Sequence, residues 1–236
     1  MVITSTAIGF SLLSIGLALC GWRFYKAYKK SENKKVASIL VLFILISSLQ
    51  NGLMGIGSFF LSNNSNALLI LLLISNLLLY THAMVGIFCV YYFFFPKLNP
   101  HFSFLLVSIV GFSSMVFLIR NPQFPFLTAN NYIDWNMSLY ASLSVFYLLF
   151  ISIGSFLYIF FSLARQSTNL ELQIISYLFS LAAFGGIISS FLDIIFFYNK
   201  TNDFIPNILD IGVGIIGFIF ILVILFVPFI KKRLLV

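Results

Sequence analysis

Residues 67–95 read ALLILLLISNLLLYTHAMVGIFCVYYFFF, a run without a single Asp, Glu, Lys or Arg. A helix that crosses the hydrocarbon of a bilayer needs about 20 predominantly apolar residues. This run is longer, and its apolar residues fall on every side of a helix, which is typical of a helix solvated by lipid. The segment therefore predicts a membrane-spanning helix, and the recurrence of the same pattern decides the fold.

The pattern recurs along the whole chain, interrupted by short polar segments. Of the 236 residues, 61% are hydrophobic and 8% are charged, and the mean hydropathy is +1.09, whereas soluble domains are about half apolar and a quarter charged. The predicted spans are residues 3–22, 36–61, 67–95, 102–119, 139–164, 172–198 and 208–230. We expect an all-α membrane protein, a seven-transmembrane helix bundle that forms one domain over residues 1–236 without a soluble domain.

The basic residues indicate how the bundle is oriented, because cytoplasmic connections are enriched in Lys and Arg. When seven spans are threaded, every Lys and Arg except Arg120 and Lys200 falls on one side. The bias predicts an outside N-terminus and a cytoplasmic C-terminus in a multi-pass membrane protein. We interpret the net charge of +7 as attraction to anionic lipid heads rather than to nucleic acid, so the expected partner is the lipid bilayer.

Two carboxylates interrupt the last two predicted spans. Asp193 lies about five residues from the outer end of the sixth span, and Asp210 lies a few residues into the seventh. At about 1.5 Å per residue, both are roughly 5 to 8 Å below the outer boundary. An ionised carboxylate that faces lipid is unfavourable, so we expect both to face the bundle interior or a water-filled cavity open to the outside. They are candidate ligand-binding residues.

Other polar side chains lie within the second, third and fourth spans and are expected to face the same interior. They are Gln50, Asn51, Asn76, His82, Ser113 and Ser114. Two interpretations remain open for them. They line a ligand-binding cavity, with Gln50, Asn51, Asn76 and His82 as candidate contacts, or they hydrogen-bond between helices at roughly 0.6 kcal/mol per bond. For His82 the second interpretation is a neutral imidazole bonded to a neighbouring helix.

Intramembrane proteases carry motifs that this chain lacks. The aspartyl type has its acid directly after Gly-x-Gly, whereas Asp210 precedes both Gly212 and Gly214. The rhomboid type needs Gly-x-Ser-Gly and a membrane His on a later helix. The nearest match, GFSS at residues 111–114, lacks the last Gly and has no His after it. Acid–base and nucleophilic catalysis are therefore unsupported, and we expect no enzyme activity.

No cofactor or metal site is expected. A seven-helix retinal protein needs a Schiff-base Lys within its last helix, and residues 208–230 contain none. Cys20 and Cys89 are isolated from each other and from any His in the sequence, so they do not suit a metal site. We predict that both are packing residues. The longest connection, residues 120–136, contains Tyr132 and Trp135, whose amphipathic rings suit a cap at the membrane interface.

The polar segments between the predicted spans of the second half of the chain follow a regular order. A basic loop with Gln follows the fifth span, a Pro-containing turn precedes the seventh, and a basic-Arg-Leu-Leu segment follows it. The segments are ARQ at residues 164–166, ELQII at 171–175, FIP at 204–206 and KKRLL at 231–235. Over residues 139–235 the chain thus resembles the N-terminal seven-transmembrane sensor region of bacterial histidine kinases. Because the chain carries no kinase domain up to Val236, the resemblance is to a sensor region alone, without kinase activity.

The resemblance implies a sensor module of the bacterial inner membrane that detects an extracellular or membrane-borne small-molecule ligand and transmits a helix movement to a cytoplasmic signalling protein. Ligand or proton binding near the two acids would favour one of two packings of the sixth and seventh helices. The glycines Gly212, Gly214 and Gly217 would permit that adjustment. A small seven-helix transporter or channel is the alternative function, although no internal repeat typical of transporters is found. An assembly subunit of a larger complex is a third.

Overall fold

The computed structural model of the protein describes residues 3–28, 34–198, 211–222 and 224–225, and the side chains in these ranges except at 27–28, 34–37 and 189–198. Nearly all of these residues are helical. The helices are α1 (Ser5–Tyr28), α2 (Lys34–Leu61), α3 (Ser65–Phe94), α4 (His101–Arg120), α5 (Leu139–Gln166), α6 (Leu170–Tyr198) and α7 (Ile211–Leu222). A short hairpin of β1 (Phe126–Leu127) and β2 (Ile133–Asp134) lies between α4 and α5.

Helices α1 to α6 are long and apolar enough to cross a membrane, whereas the described part of α7 is shorter. The outer surface of the bundle is covered by large apolar side chains, for example Phe112, which is 73% exposed. Exposed apolar surface of this extent is unfavourable in water but is solvated by lipid. The chain is therefore a multi-pass helical membrane protein, and the predicted all-α class is confirmed. The seventh span and the orientation stay predictions.

Local signals set several helix ends close to where the sequence predicts them. The side chain of Asn64 accepts a hydrogen bond from Ala67 N at 3.1 Å and caps α3, and Ser138 caps α5 in the same way. Such caps satisfy amide groups that have no partner within the helix. Helix α3 stops two residues before Pro96 because the residue that precedes a proline disfavours helical geometry. The helices exceed the predicted spans at several ends since polar residues such as Arg23 and Lys26 continue α1 beyond the apolar run.

Helix α3 occupies the middle of the bundle and packs against α2, α4 and α5. Helix α1 lies between α2 and α7. On one side of α1, Ser14 Oγ donates to Ser48 O at 2.7 Å and Ser48 Oγ donates to Ser14 O at 2.9 Å. On the other side, Gly217 of α7 lies directly against the backbone of Leu12 and Leu13. Small side chains thus bring α1 close to both neighbours, as is typical of helix packing in membranes.

The two ends of the bundle differ in composition. The loop end holds the connection between α4 and α5, and Ser5 N at the start of α1 donates to Asn131 O in this connection at 3.0 Å. The basic end holds the opposite helix termini, where Arg23 of α1 lies 3.6 Å from the carboxylate of Glu171 at the start of α6. Successive helices therefore alternate in direction, as the predicted threading requires.

The half of the bundle nearer the basic end is filled by the aromatic cluster, a group of phenylalanines from α1, α2, α5, α6 and α7. Its members are Phe24, Phe43, Phe156, Phe160, Phe179 and Phe220. Neighbouring ring centroids lie between 4.5 Å (Phe156 to Phe160) and 6.4 Å (Phe24 to Phe179). Cys20 and Cys89 are buried in the same core, which fits their predicted role as packing residues.

Candidate functional site

The half of the bundle nearer the loop end contains a cavity of about 310 Å³. This volume is at the lower end of the roughly 300 to 1,000 Å³ that is typical of small-molecule pockets. Helices α1, α2, α3, α5, α6 and α7 all contribute to its wall, and the α4–α5 connection covers it. The cavity ends at Phe156, a member of the aromatic cluster. It is therefore a chamber with packed aromatic rings as its floor.

One face of α3 supplies the central wall of this cavity. Its residues recur at helical spacing and are Leu72, Ser75, Asn76, Leu79 and His82. Residues three, four and seven positions apart share one side of a helix, so the polar groups that interrupt the apolar run at residues 67–95 point in a common direction. The sequence alone could not fix that direction because the run is apolar all round.

Asn76 connects this wall to α4. Its amide nitrogen Nδ2 donates to Ser114 Oγ at 3.0 Å and lies 3.2 Å from Met115 Sδ. The residue is 3% exposed, and its carbonyl oxygen Oδ1 is buried without a hydrogen-bond partner among the described residues. Both sequence interpretations therefore apply to Asn76, because it bonds between helices and also leaves an acceptor atom on a residue that lines the cavity.

His82 lies at the floor of the cavity. Its Nδ1 shares a hydrogen bond with Ser152 Oγ of α5, and its ring stacks on Phe43 with centroids 4.1 Å apart. The residue is 3% exposed. A backbone group of Phe43 also lies near the ring, but within the described ranges no group reaches Nε2 with hydrogen-bond geometry. The imidazole is thus held at one nitrogen, in agreement with a ring bonded to a neighbouring helix.

The two remaining candidates on α2, Gln50 and Asn51, line the same cavity. Asn51 Nδ2 donates to Ser47 O of its own helix at 2.7 Å. The structure therefore brings four of the six candidate residues to one chamber, while ligand binding itself stays a prediction. Of the two serines expected to join them, Ser114 bonds to Asn76 and Ser113 donates to Ile109 O of its own helix.

The acids Asp193 and Asp210 lie outside the residues whose side chains are described. Only their sequence positions relate them to the site. Asp193 follows Gly186 of α6 by seven residues, and Asp210 precedes Val213 of α7 by three. Gly186 and Val213 both line the cavity. Their role as ligand contacts stays a prediction.

The α4–α5 connection forms a lid over the cavity, which we define as residues 124–137. Its strands pair antiparallel, with Leu127 opposite Ile133. The turn between them places Asn131 at φ 58°, which is a left-handed conformation that Asn tolerates. Tyr132, Ile133 and Trp135 of the lid line the cavity. The rings of Tyr132 and Trp135, which the sequence suggests for a cap at the membrane interface, therefore line the roof of the chamber, and their depth in the membrane stays a prediction.

The lid is tied to the start of α1. Ile133 N donates to Thr6 Oγ1 at 3.0 Å, and Thr6 is buried. Together with the bond from Ser5 N to Asn131 O, this contact joins the roof of the cavity to the helix that packs on α2 and α7. The lid is thus in direct contact with α1.

Sequence reasoning missed the hairpin, Ser152 and the paired serines Ser14 and Ser48. The strands have two residues each, too short for an alternation to register. A polar residue within each apolar run was the available signal for the serines, but serine is common in membrane helices and hydrogen-bonds readily to its own backbone.

Within the described ranges, no group of three His, Cys, Asp or Glu lies close enough together to hold a metal ion. The chain matches no protein-family model, no curated protein and no solved structure. The chamber, its lid and its aromatic floor are thus the observations from which a function is inferred.

Proposed function

We propose that this protein is a sensory module of the bacterial inner membrane, with seven spans, an outside N-terminus and a cytoplasmic C-terminus. In this proposal the loop end faces outside, a small molecule binds in the cavity beneath the lid, and the bundle transmits its presence to a cytoplasmic signalling protein. The resemblance of residues 139–235 to the sensor region of histidine kinases supports the same role.

One observation carries the proposal, namely that the cavity is confined to one half of the bundle. Phe24, Phe160, Phe179 and Phe220 each have 1% or less of their surface exposed. Protein interiors packed in this way transmit displacement instead of absorbing it. A chamber above a rigid floor suits a receptor, in which occupancy moves helices, better than a conduit, in which the solute must pass.

The contact between α1 and α7 is the proposed output. The sequence interpretation gave Gly212, Gly214 and Gly217 the role of allowing α6 and α7 to adjust. In the structure Gly217 packs on the backbone of α1, and a methyl group on Gly214 would lie 3.2 Å from Gly9 Cα. Gly214 and Gly217 therefore hold α7 against α1, which also contacts the lid. In the proposal, a ligand that shifts the lid shifts α1 and α7 together.

A substitution that fills the cavity tests this coupling without an identified ligand. Ala182 of α6 lines the cavity, so Ala182→Phe imitates an occupant, whereas the neighbouring Leu181 is 64% exposed and Leu181→Phe serves as the matched control. Spin labels on the exposed residues Leu19 and Leu225 report the separation of α1 and α7. We expect a shift of about 1 to 2 Å in Ala182→Phe alone. Equal distances in both variants would contradict the proposal.

The two acids are tested separately. The proposal gives Asp193 and Asp210 a part in ligand or proton recognition near the outer boundary. Asp193→Asn and Asp210→Asn are expected to change the dose response of a reporter linked to the cytoplasmic partner. An unchanged response in both variants would remove the acids from the proposal and leave the cavity as the site.

A transporter is the second candidate because the same polar row, from Gln50 to His82, lies at the centre of the bundle. In a transporter the aromatic floor would have to open during each cycle. Access to the chamber from the basic end is the observation that would place this function first.

A further inference from the structure

The orientation of the Asn76 amide determines which of its atoms is left without a partner at the wall of the cavity. Asn76 Nδ2 lies 3.0 Å from Ser114 Oγ and 3.2 Å from Met115 Sδ. A thioether sulfur accepts hydrogen bonds but cannot donate them. The NH₂ group therefore belongs on the side of α4, and the carbonyl oxygen Oδ1 is the atom left without a partner in the described part of the chain.

The rest of the cavity is mostly apolar. Leu13, Leu72, Leu79 and Val145 contribute to the wall, and none of the described lining residues is Asp, Glu, Lys or Arg. A buried carbonyl without a donor is unfavourable, and a buried ion without a countercharge is much more so. The lining thus favours an uncharged molecule that brings a donor to Asn76.

We infer that the cavity binds an uncharged small molecule with an apolar body and a hydroxyl or amine N–H donor, and that Asn76 Oδ1 receives the donor. The inference rests on the proposed function for the existence of a ligand and adds its chemical class. The donor distinguishes this class from plain hydrocarbons such as lipid tails, which fill apolar space without a hydrogen bond.

The two tryptophans of the chain make the test direct. Trp135 lines the cavity, whereas Trp22 lies near the basic end and is 58% exposed. In Trp22→Phe, Trp135 is the single tryptophan, and a brominated probe that enters the cavity quenches its fluorescence by contact. In Trp135→Phe, Trp22 reports probe that has only dissolved in the lipid. The full chain in nanodiscs serves for both.

Three probes of similar shape separate the chemical classes. 4-Bromophenol has an uncharged donor, 4-bromoanisole lacks the donor, and 4-bromobenzylammonium has a charged donor. We expect saturable quenching of Trp135 by 4-bromophenol at about tenfold lower concentration than by 4-bromoanisole, which corresponds to 1.4 kcal/mol. The ammonium probe is expected to bind more weakly than the phenol.

Variants then locate the donor contact. Asn76→Leu removes the acceptor at nearly constant volume and is expected to abolish the preference for the phenol. Asn66→Leu makes the same change at an exposed position of α3 and is expected to keep it. If Asn76→Leu does not fold, Ser114→Ala is used, which keeps Asn76 Oδ1 and is expected to retain the preference for the phenol. The comparison of 4-bromophenol with 4-bromoanisole in Trp22→Phe then decides whether binding requires a donor.

Several results would overturn the inference. They are equal binding of phenol and anisole, tightest binding of the ammonium probe, a phenol preference that persists in Asn76→Leu, or quenching no greater than that of Trp22 in Trp135→Phe. Failure of the proposed function is distinguishable from these results. If 4-bromophenol binds with the expected preference but the distance between the labels on Leu19 and Leu225 does not change, the inferred ligand class stands. The proposed sensor function is then wrong.

Discussion

The two halves of this bundle use the same helices for opposite purposes. Near the basic end, α1, α2, α5, α6 and α7 converge on interlocked phenylalanine rings. Near the loop end, they separate around a mostly apolar chamber that has a few polar groups in its wall and is roofed by a hairpin. His82 and Phe43 stack at the boundary, 4.1 Å apart. In the proposed function, the packed half provides the rigidity against which the half with the chamber responds to an occupant.

The contrast explains why polar residues are tolerated within the apolar spans. A buried polar atom is unfavourable unless it finds a partner, and in the described chain Asn76 and His82 each satisfy one atom and leave another unpaired. The close packing of the aromatic cluster stabilises the bundle enough to hold these atoms in place.

The largest effect is expected from Phe160→Ala in the aromatic cluster. Phe160 is fully buried against Phe24, Phe156 and Phe179, and truncation of such a side chain lowers the free energy of unfolding by about 3 to 5 kcal/mol. Unfolding in mixed micelles measures the loss. Phe112→Ala, at a position facing the lipid, is the control and should lose much less. Equal losses would show that the cluster is not a rigid core.

Gly217→Ala tests the contact between α7 and α1. The added methyl group meets the backbone of Leu12 and Leu13, which cannot yield as a side chain does, so we expect destabilisation of about 1 to 3 kcal/mol. Gly212→Ala makes the same change where no heavy atom lies within 4 Å and should be neutral or stabilising by up to about 1 kcal/mol. If both variants behave alike in unfolding experiments, the described contact is wrong.

A smaller effect is expected at the contact between α1 and α2. Ser14 and Ser48 exchange two hydrogen bonds, so their alanine variants should not be additive. Hydrogen bonds between membrane helices average about 0.6 kcal/mol and reach about 1.7 kcal/mol in double-mutant cycles. We expect a coupling energy in this range. A coupling of zero would mean that shape, and not hydrogen bonding, joins these helices.

The smallest change in global stability is expected for Thr6→Val, which acts on the lid. The substitution leaves the amide of Ile133 without its acceptor, and a lost hydrogen bond of about 1 kcal/mol corresponds to roughly fivefold faster opening. Hydrogen exchange at the Ile133 amide measures it. Exchange within the aromatic cluster should stay unchanged, and Thr81→Val, at an exposed position of α3, is the control. An unchanged exchange rate at the Ile133 amide would show that the hydrogen bond to Thr6 does not hold the lid on α1.

The sequence predicts α1 to α6 well because each of these spans is a long apolar run bounded by Pro, Asn or charged residues. Asn64 and Pro96 bound α3 as a reader of the sequence would expect. It also predicts which residues are unusual, since Asn76 and His82 are conspicuous in an apolar run. The partners of these residues are not predictable in this way, because Ser114 and Ser152 are 38 and 70 positions away.

The position of the lid could not be predicted from the sequence. Tyr132 and Trp135 have the amphipathic rings of interface residues, and composition alone places them at the membrane surface. A two-residue pairing of β1 with β2 and the bond from Ile133 to Thr6 also place this segment over the cavity. These contacts depend on the three-dimensional position of α1, and no local pattern contains that information.

The central proposal is that the chamber is reached from outside the cell at the loop end and is closed towards the cytoplasm by the aromatic cluster. With Cys20 and Cys89 changed to Ala, Ser75→Cys places a thiol in the chamber, and Ile159→Cys places one in the fully buried core at the basic end. A small, membrane-impermeant thiol reagent is added to intact cells and to inverted vesicles. We expect Ser75→Cys to react in intact cells only, and Ile159→Cys to react neither in intact cells nor in inverted vesicles. Reaction of Ser75→Cys in inverted vesicles at a comparable rate would contradict the proposal and place a transporter first.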